Sequence, residues 1–422
     1  MLTQRENELL TQTGPGTPCG DLMRRYWQPT ALSEELPTGG APLPVRILGE
    51  DLVLFRDDQD RPGLLGLHCS HRGADLSYGR VEDGGLRCLY HGWLYDIKGR
   101  CLEQPGEPAG SDFCGKIHHR AHPCQEKGGV IFSYMGPGEP PLLPNYEFLG
   151  VPEDQRVVTK FIQDCNYLQG NEGNIDPVHN ALLHHPEVNQ SHNYRGFHGG
   201  RGPIPGVQVL ECEPTDFGVA LCYTSPNDAE TKNIRTFNFV MPNLTVFPGQ
   251  FRGHDGFSCN WHVPIDDTHH WKYTFIFRRS GPIDGPTMLS RLGSIGAGYR
   301  LIQNKDNRYM QDRSLLATAS YSGIPSVAAQ DTWATEGEGT IQDRAQEHLG
   351  YSDKIIVIAR RMMLKAIQDV RHGDDPPHVI RHPDQNRFSH MVVRGDQVPV
   401  STDWKEFRKD IASRGQTTAA TG

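Results

Sequence analysis

Two short runs constrain this chain more than any other feature: Cys69-Ser70-His71 and, sixteen residues further on, Cys88-Leu89-Tyr90-His91. Each puts a thiol and an imidazole at a turn between stretches that read as strands. Side by side, two such loops offer two sulfurs and two ring nitrogens, a donor set that suits zinc or a cluster in which two histidines replace two cysteines on one iron. The spacing favours the cluster. A structural zinc site usually opens with two cysteines two to four residues apart, whereas each loop here supplies one donor of each kind, so neighbouring ligands can serve different irons. Neutral imidazoles in place of thiolates leave such a centre less negative and raise its potential, which lets it accept electrons singly from a ferredoxin-type donor.

Composition supports a reduced, metal-bearing protein. Ten cysteines among 422 residues, with no apolar leader after Met1, read as free thiols or ligands rather than a disulfide framework, and the expected location is cytoplasmic. No apolar stretch is long enough for a membrane span. With 42 basic against 51 acidic residues, a net charge of -9 and no block of like charges, nucleic acid is not an expected partner.

From Pro44 to Met135 the chain is a series of short apolar runs broken by turns, among them Leu52-Val53-Leu54-Phe55, Leu64-Leu65-Gly66-Leu67 and Val130-Ile131-Phe132, which predicts a small all-β unit. Pro140, Pro141 and Pro144 mark a boundary. Beyond it, Asp164 to His185 reads as mainly helical, and Val207 to Phe277 alternates as an antiparallel sheet with one covered face. Ile355, Ala359, Met363, Ile367 and Val370 predict an amphipathic helix, with Ser352 at its N-cap and Gly373 at its C-cap. The fold class is therefore α+β: an N-terminal helical arm over residues 1–40, the all-β unit over 41–150, and over 151–422 an antiparallel sheet covered by helices. The polar tail Gly415 to Gly422 is expected to be disordered.

A second constellation lies in the helical stretch, where Asp176, His179 and His184 stand among polar residues. Three residues along a helix leave Asp176 and His179 about 60° apart, close enough for a carboxylate-imidazole hydrogen bond. His179 and His184, five apart, diverge by about 140° on a regular helix, so they can share a metal only if the helix bulges or ends between them. Pro177 makes such an irregularity credible. Taken alone, the three residues also fit a satisfied polar helix end.

With Arg72-Gly73 and Tyr90-His91-Gly92-Trp93 around the ligands, the first constellation resembles the Rieske 2Fe-2S motif. Glu172, Asp176, His179 and His184 resemble the mononuclear-iron signature of the large, catalytic subunits of Rieske non-heme iron oxygenases, and the likeness extends over essentially the whole chain. The resemblance implies a Rieske domain at 41–150 and a catalytic domain at 151–422. It implies a 2Fe-2S cluster held by Cys69 and Cys88 on the inner iron and His71 and His91 on the outer one. It implies Fe(II) held by His179, His184 and a later carboxylate, for which Asp331 in Ala328-Ala329-Gln330-Asp331-Thr332-Trp333 is chosen over Asp343, a residue that beside Arg344 can equally be an ion pair. Glu172 and Asp176 are then catalytic residues. Asp176 would bridge a cluster histidine of one subunit to an iron histidine of the next, from His91 to Asp176 and His179 across the interface, so a homotrimer or stacked trimers are implied. Gly14-Pro15-Gly16 and Gly199-Gly200 do not form a dinucleotide site, and a separate NAD(P)H-dependent flavin and iron-sulfur reductase is the implied electron donor.

The closest resemblance is to the phthalate dioxygenase branch, through Asn166-Tyr167-Leu168-Gln169, Phe239-Val240-Met241-Pro242 and Asp343 to Gly350. It implies hydroxylation of an aromatic carboxylate with O2, with Arg235 placed to pair with the carboxylate. Val219-Ala220-Leu221-Cys222 stands where a further basic residue would serve a dicarboxylate. O-demethylation of a methoxylated aromatic acid would use the same metals. A plain Rieske electron carrier needs only the first 150 residues or so, and a zinc-stabilised binding protein would be colourless. Cys114, His118, His119, His122 and Cys124 also have ligand chemistry, but they follow a domain whose ligands are already supplied and read as loop residues. Trp93 and Tyr90 read as cluster shielding or plain core.

Overall fold

The computed structural model describes residues 1–184, 209–249, 255–316 and 319–414; Gly199-Gly200 and the tail from Gly415 lie outside the described residues. Two short helices open the chain, α1 (Gln4–Thr11) and α2 (Pro18–Met23). Thr3 and Glu6 cap α1 reciprocally, and Thr17 caps α2 ahead of Pro18. The helical character expected over residues 1–40 ends there, because β1 (Trp27–Leu32) follows, wholly buried and paired antiparallel with β11 (Val130–Tyr134). Pro29 obscures this strand in the sequence, and the pairing absorbs it with a shift of register between Pro29 and Ala31.

Between these two strands lie β2 (Leu43–Ile47), β3 (Glu50–Arg56), β4 (Pro62–Gly66), β5 (Arg80–Glu82), β6 (Gly85–Arg87), β7 (Leu94–Tyr95), β8 (Cys101–Glu103), β9 (Ala121–His122) and β10 (Cys124–Lys127). They form small sheets ordered β2-β3-β4-β9 and β5-β6-β7-β8, with a third ordered β1-β11-β10. Strand β3 shows how the unit is anchored. Its alternate residues Val53 and Phe55 join a core with Leu65, Leu86, Cys69 and Cys88, while Leu52 and Leu54 join the main core of the molecule.

After α3 (Glu147–Gly150) and β12 (Arg156–Gln163) come α4 (Tyr167–Ile175) and α5 (His179–Leu182). Then follow β13 (Val209–Pro214), β14 (Gly218–Pro226), β15 (Thr231–Val240), β16 (Leu244–Pro248), β17 (Phe257–Pro264) and β18 (His270–Phe277). The chain ends with α6 (Gly285–Leu292), α7 (Val327–Gly337), α8 (Lys354–His372), β19 (Arg394–Pro399) and α9 (Trp404–Arg414). The large sheet has the order β12-β18-β17-β16-β15-β14-β13, with β19 added to β15, and every pairing is antiparallel. Helix α8 buries the stripe from Ile355 to Val370 and ends at Gly373 in the left-handed conformation, while its N-cap is Asp353 rather than Ser352.

The sheet is covered on both faces, not one. Every residue of β17 is buried, and on β18 Phe275 packs on Phe148 of α3 while its neighbour Ile276 clusters with Met288 of α6. The alternating polar residues His270, Lys272 and Thr274 therefore point not to water but under helices, where each must find a partner. This buried polar face carries the site. No helix among the described residues is long and apolar enough to cross a membrane.

Candidate metal centres and active site

The two Cys-His loops are built alike. Gly73 N donates to Cys69 O at 2.8 Å and Gly92 N to Cys88 O at 3.0 Å, and each cysteine N donates across its own loop, to Ala74 O and Trp93 O. Gly73 and Gly92 close the turns at φ +75° and +76°, a conformation that favours glycine. Both sulfurs are buried, and the His71 and His91 rings lie at the partly exposed edge with centroids 4.4 Å apart. The His71 Nδ1 is buried and has no hydrogen-bond partner among the described residues. Such a nitrogen is costly unless something takes its lone pair, so the donor set fits a cluster with histidines on its outer iron. Trp93 is core and shield at once: it is buried and stacks on His71 at 4.5 Å and 8°. Tyr90 lies against His91 at 3.8 Å and is mostly exposed.

His119 supports this site rather than forming another. It hydrogen-bonds Gly66 O through Nε2 at 2.8 Å, which makes Nδ1 the acceptor of the Ser70 hydroxyl at 2.7 Å. Tyr95, fully buried, places its hydroxyl 3.2 Å from Cys69 Sγ. Among the described residues, Cys114, His118, His122 and Cys124 join no group of three ligating atoms.

The second centre is assembled where α4 breaks. Asn166 caps α4 at its start, and at its end Asp176, before Pro177, leaves the helical region with ψ 113°. The new turn α5 starts at His179 and ends at Leu182, so His179 and His184 escape the divergence a continuous helix would impose. Asp331 comes from α7. The structure brings His179, His184 and Asp331 together with one ligating atom of each within 4.8 Å of the others. Asp331 Oδ1 is 3.0 Å from His184 Nε2 and 3.7 Å from His179 Nε2. Two imidazoles and one carboxylate are the donor set of a facial triad, which suits a divalent iron with open positions. Burial raises the Asp331 carboxyl, but His184, Lys272 and His179 outweigh it and hold the group well below the ordinary carboxylate range.

Each imidazole is oriented from behind. Asp176 Oδ2 stands 3.2 Å from His179 Nδ1, while its Oδ1 accepts from Val178 N. Gln330, next to Asp331, places Oε1 2.5 Å from His184 Nδ1. Both rings thus turn Nε2 toward Asp331. His179 and Asp331 line a cleft with Gly170, Gly173, Ala334 and the ammonium of Lys272, which lies 3.7 Å from Asp331 Oδ2. Beneath α4, His262 and His270 are fully buried and 3.0 Å apart. The chain continues to Asn174 from His262 and to Gln163 from His270. A Cβ at Gly170 would stand 2.5 Å from both rings, so only glycine lets α4 lie this close.

Other expected residues fall elsewhere. Glu172 is held by two guanidinium groups: Arg344 reaches it at 2.9 Å and Arg360 at 2.5 Å, all buried, so its carboxylate ties α4 to α8. Asp343 is exposed and caps Ala345 N, and the neighbouring Arg344 is the residue paired with Glu172. Arg235 lies on β15 opposite Tyr223, over the Phe237 ring, and is not among the residues lining the cleft at Asp331. Burial pushes its guanidinium down to about 10 against the opposing effect of Tyr223. Lys272, Gln330 and the His262-His270 pair were not foreseen. Gln330 was within reach as the residue beside the chosen carboxylate, whereas Lys272 sits in an alternation that reads as a solvent face.

Residues 26–126 match the model of the Rieske [2Fe-2S] domain, and residues 133–421 match the model described as LigXa C-terminal domain like. The 5,5'-dehydrodivanillate O-demethylase oxygenase subunit of Sphingobium sp. (strain NBRC 103272 / SYK-6) is 34% identical over 396 residues, 92% of this chain and 85% of that one. The phthalate 4,5-dioxygenase oxygenase subunit of Pseudomonas putida is 35% identical over 402 residues, 89% of this chain and 88% of that one. The terminal oxygenase of carbazole 1,9a-dioxygenase from Nocardioides aromaticivorans IC177 shares the fold with a TM-score of 0.59, over 87% of this chain and 98% of that chain, at 21% identity.

Proposed function

The chain belongs to the Rieske non-heme iron oxygenases, and from that premise we propose that it hydroxylates an aromatic carboxylate, using O2 and electrons from a separate NAD(P)H-dependent flavin and iron-sulfur reductase. Cys69, Cys88, His71 and His91 would hold the cluster, with the histidines on its outer iron, and His179, His184 and Asp331 would hold the Fe(II). The observation that carries the reading is the convergence of His179, His184 and Asp331 on one point, beside a cleft with a buried cation. When bound, the cluster supplies single electrons and the mononuclear iron activates O2.

The residues around these groups hold and orient. Gln330 and Asp176 fix the ring tautomers so that both Nε2 atoms face inward. In a homotrimer Asp176 would also link His91 of one subunit to His179 of the next by hydrogen bonds; its side chain is about a quarter exposed, which leaves it accessible to such a partner. The substrate class rests on the carboxylates named for the phthalate dioxygenase and dehydrodivanillate O-demethylase relatives.

O-demethylation of a methoxylated aromatic acid is the second reading, favoured by the O-demethylase subunit that aligns over 92% of the chain. The test is reductant-driven O2 uptake across benzoate, phthalate and vanillate, with product analysis and assays of iron and sulfide. Uptake coupled to a ring hydroxyl supports the first reading, and formaldehyde release the second. A protein that takes up electrons but no O2 with any aromatic acid would refute both.

A further inference from the structure

Strands β12 and β18 carry two buried lysines on opposite faces of the sheet, and they are partnered very differently. Lys160 Nζ has Glu35 Oε2 at 2.6 Å and lies over the Trp271 and Tyr299 rings at 4.4 and 4.8 Å. Lys272 is 5% exposed, and the carboxylate within 4 Å of it among the described residues is Asp331, at 3.7 Å. That distance is too long for a good hydrogen bond, and the other oxygen of Asp331 faces the two histidines. Below the ammonium lies the Phe161 ring, 5.6 Å away.

Charge arithmetic sharpens the point. A triad filled by a divalent iron holds one carboxylate, two neutral imidazoles and, beside them, the ammonium of Lys272. With the Asp176 carboxylate behind His179 counted as well, one positive charge remains uncompensated beside the cleft, which is costly unless an anion joins it. We propose that Lys272 is the anchor for the carboxylate of the substrate, a specificity-determining residue that selects anionic aromatic ligands and holds them beside the triad. The inference rests on the aromatic-acid reading and deepens it by assigning recognition to β18 rather than to Arg235 on β15. The cleft beside the ammonium, lined by Gly170, Gly173 and Ala334, has a volume of about 30 Å³, enough for the carboxylate group alone, so the ring of the ligand would lie at its mouth.

The experiment is calorimetric titration of the resting holoenzyme, without reductant or O2. The probes are the tightest-binding member of benzoate, phthalate and vanillate, and the carboxamide made from that same acid. Lys272→Met is expected to weaken the acid by about 100-fold, as loss of one partner of a buried charge pair does, and to change the carboxamide by less than about threefold. Lys272→Arg should recover most of the difference, and the iron content of both variants should match the wild type. Lys272→Gln carries the same expectation if Lys272→Met fails to fold. Equal weakening of acid and amide would mean a packing defect and overturn the anchor, as would wild-type affinity in Lys272→Met together with loss of affinity in Arg235→Met. If the wild type binds carboxamides but no acid, the aromatic-acid reading itself fails.

Discussion

Gln330 Oε1 stands 2.5 Å from His184 Nδ1, and the amide nitrogen of Gln330 is spent on Ile324 O at 2.9 Å. That second bond fixes which way the amide points, so His184 must donate from Nδ1 and keep its Nε2 lone pair for the side where Asp331 lies. Consecutive residues of α7 therefore supply one ligating carboxylate and the orientation of one ligating ring.

Gln330→Leu removes the acceptor while keeping the bulk. Iron affinity is expected to fall about 10- to 100-fold with the cluster untouched. Titration of iron-depleted protein with Fe(II), followed by bound-metal assay, checks this. Wild-type affinity would mean that packing alone sets the ring.

The ligands themselves should behave differently from their supports. Asp331→Ala or His184→Ala is expected to lose the mononuclear iron and substrate oxidation together, while the visible absorption of the cluster stays. Either variant retaining full O2-dependent turnover would remove that residue from the site.

For Asp176→Asn the expectation separates binding from transfer. An amide can still contact His179 and leave both metals in place, but it carries no charge to stabilise the imidazole or to bridge subunits. Reduction of the iron by the cluster in a single turnover should slow by about tenfold or more, with metal content unchanged; an unaltered rate would refute the bridge.

Glu172 was expected to take part in catalysis, and its partners predict a stability effect instead. Burial raises the carboxyl, but Arg344 and Arg360 outweigh it and hold it below its usual value, and Arg360 also pairs with Glu347. Glu172→Gln leaves two buried guanidinium groups short of charge, a loss of about 3 to 5 kcal/mol. Urea denaturation should report it, while turnover per bound iron at low temperature stays near wild type. A large loss of turnover without loss of stability would restore the catalytic role.

The parts of the molecule that follow from local rules were legible in the sequence. The cluster loops depend on Cys, His and Gly at fixed short spacings, and the stripe of α8 depends on a period of 3.6. Asp331, 147 residues beyond His184, was reached only through family resemblance, because no local pattern joins α7 to the broken α4. Periodicity reports which residues of a strand differ, not what covers each face. That is why His270, Lys272 and Thr274 read as a wet face although helices bury them. Pro29 hid β1 for a similar reason, since its tolerance depends on a bulge that only the partner strand reveals.

The buried histidines make stability depend on pH with a definite sign. His270 is fully buried, and burial, with Lys272 and His269 adding to it against the Cys165 carbonyl and Asp164, pushes its imidazole down to about 4. Burial pushes His122 and His378 down to about 4 as well. In the unfolded chain each titrates near 6.5. Between those values the unfolded state binds protons that the folded state refuses, so stability falls as pH drops from about 6.5 toward 4, and this contribution is flat above that window. Each group adds at most about 1.4 kcal/mol per pH unit, and Asp331 and Glu172, held low in the fold, extend the loss at still lower pH. Urea midpoints measured from pH 7.5 to 5 should decline on the acid side, and His270→Gln, though less stable at pH 7.5, should show a shallower decline. A profile equally steep in that variant would mean that His270 is protonated in the folded protein.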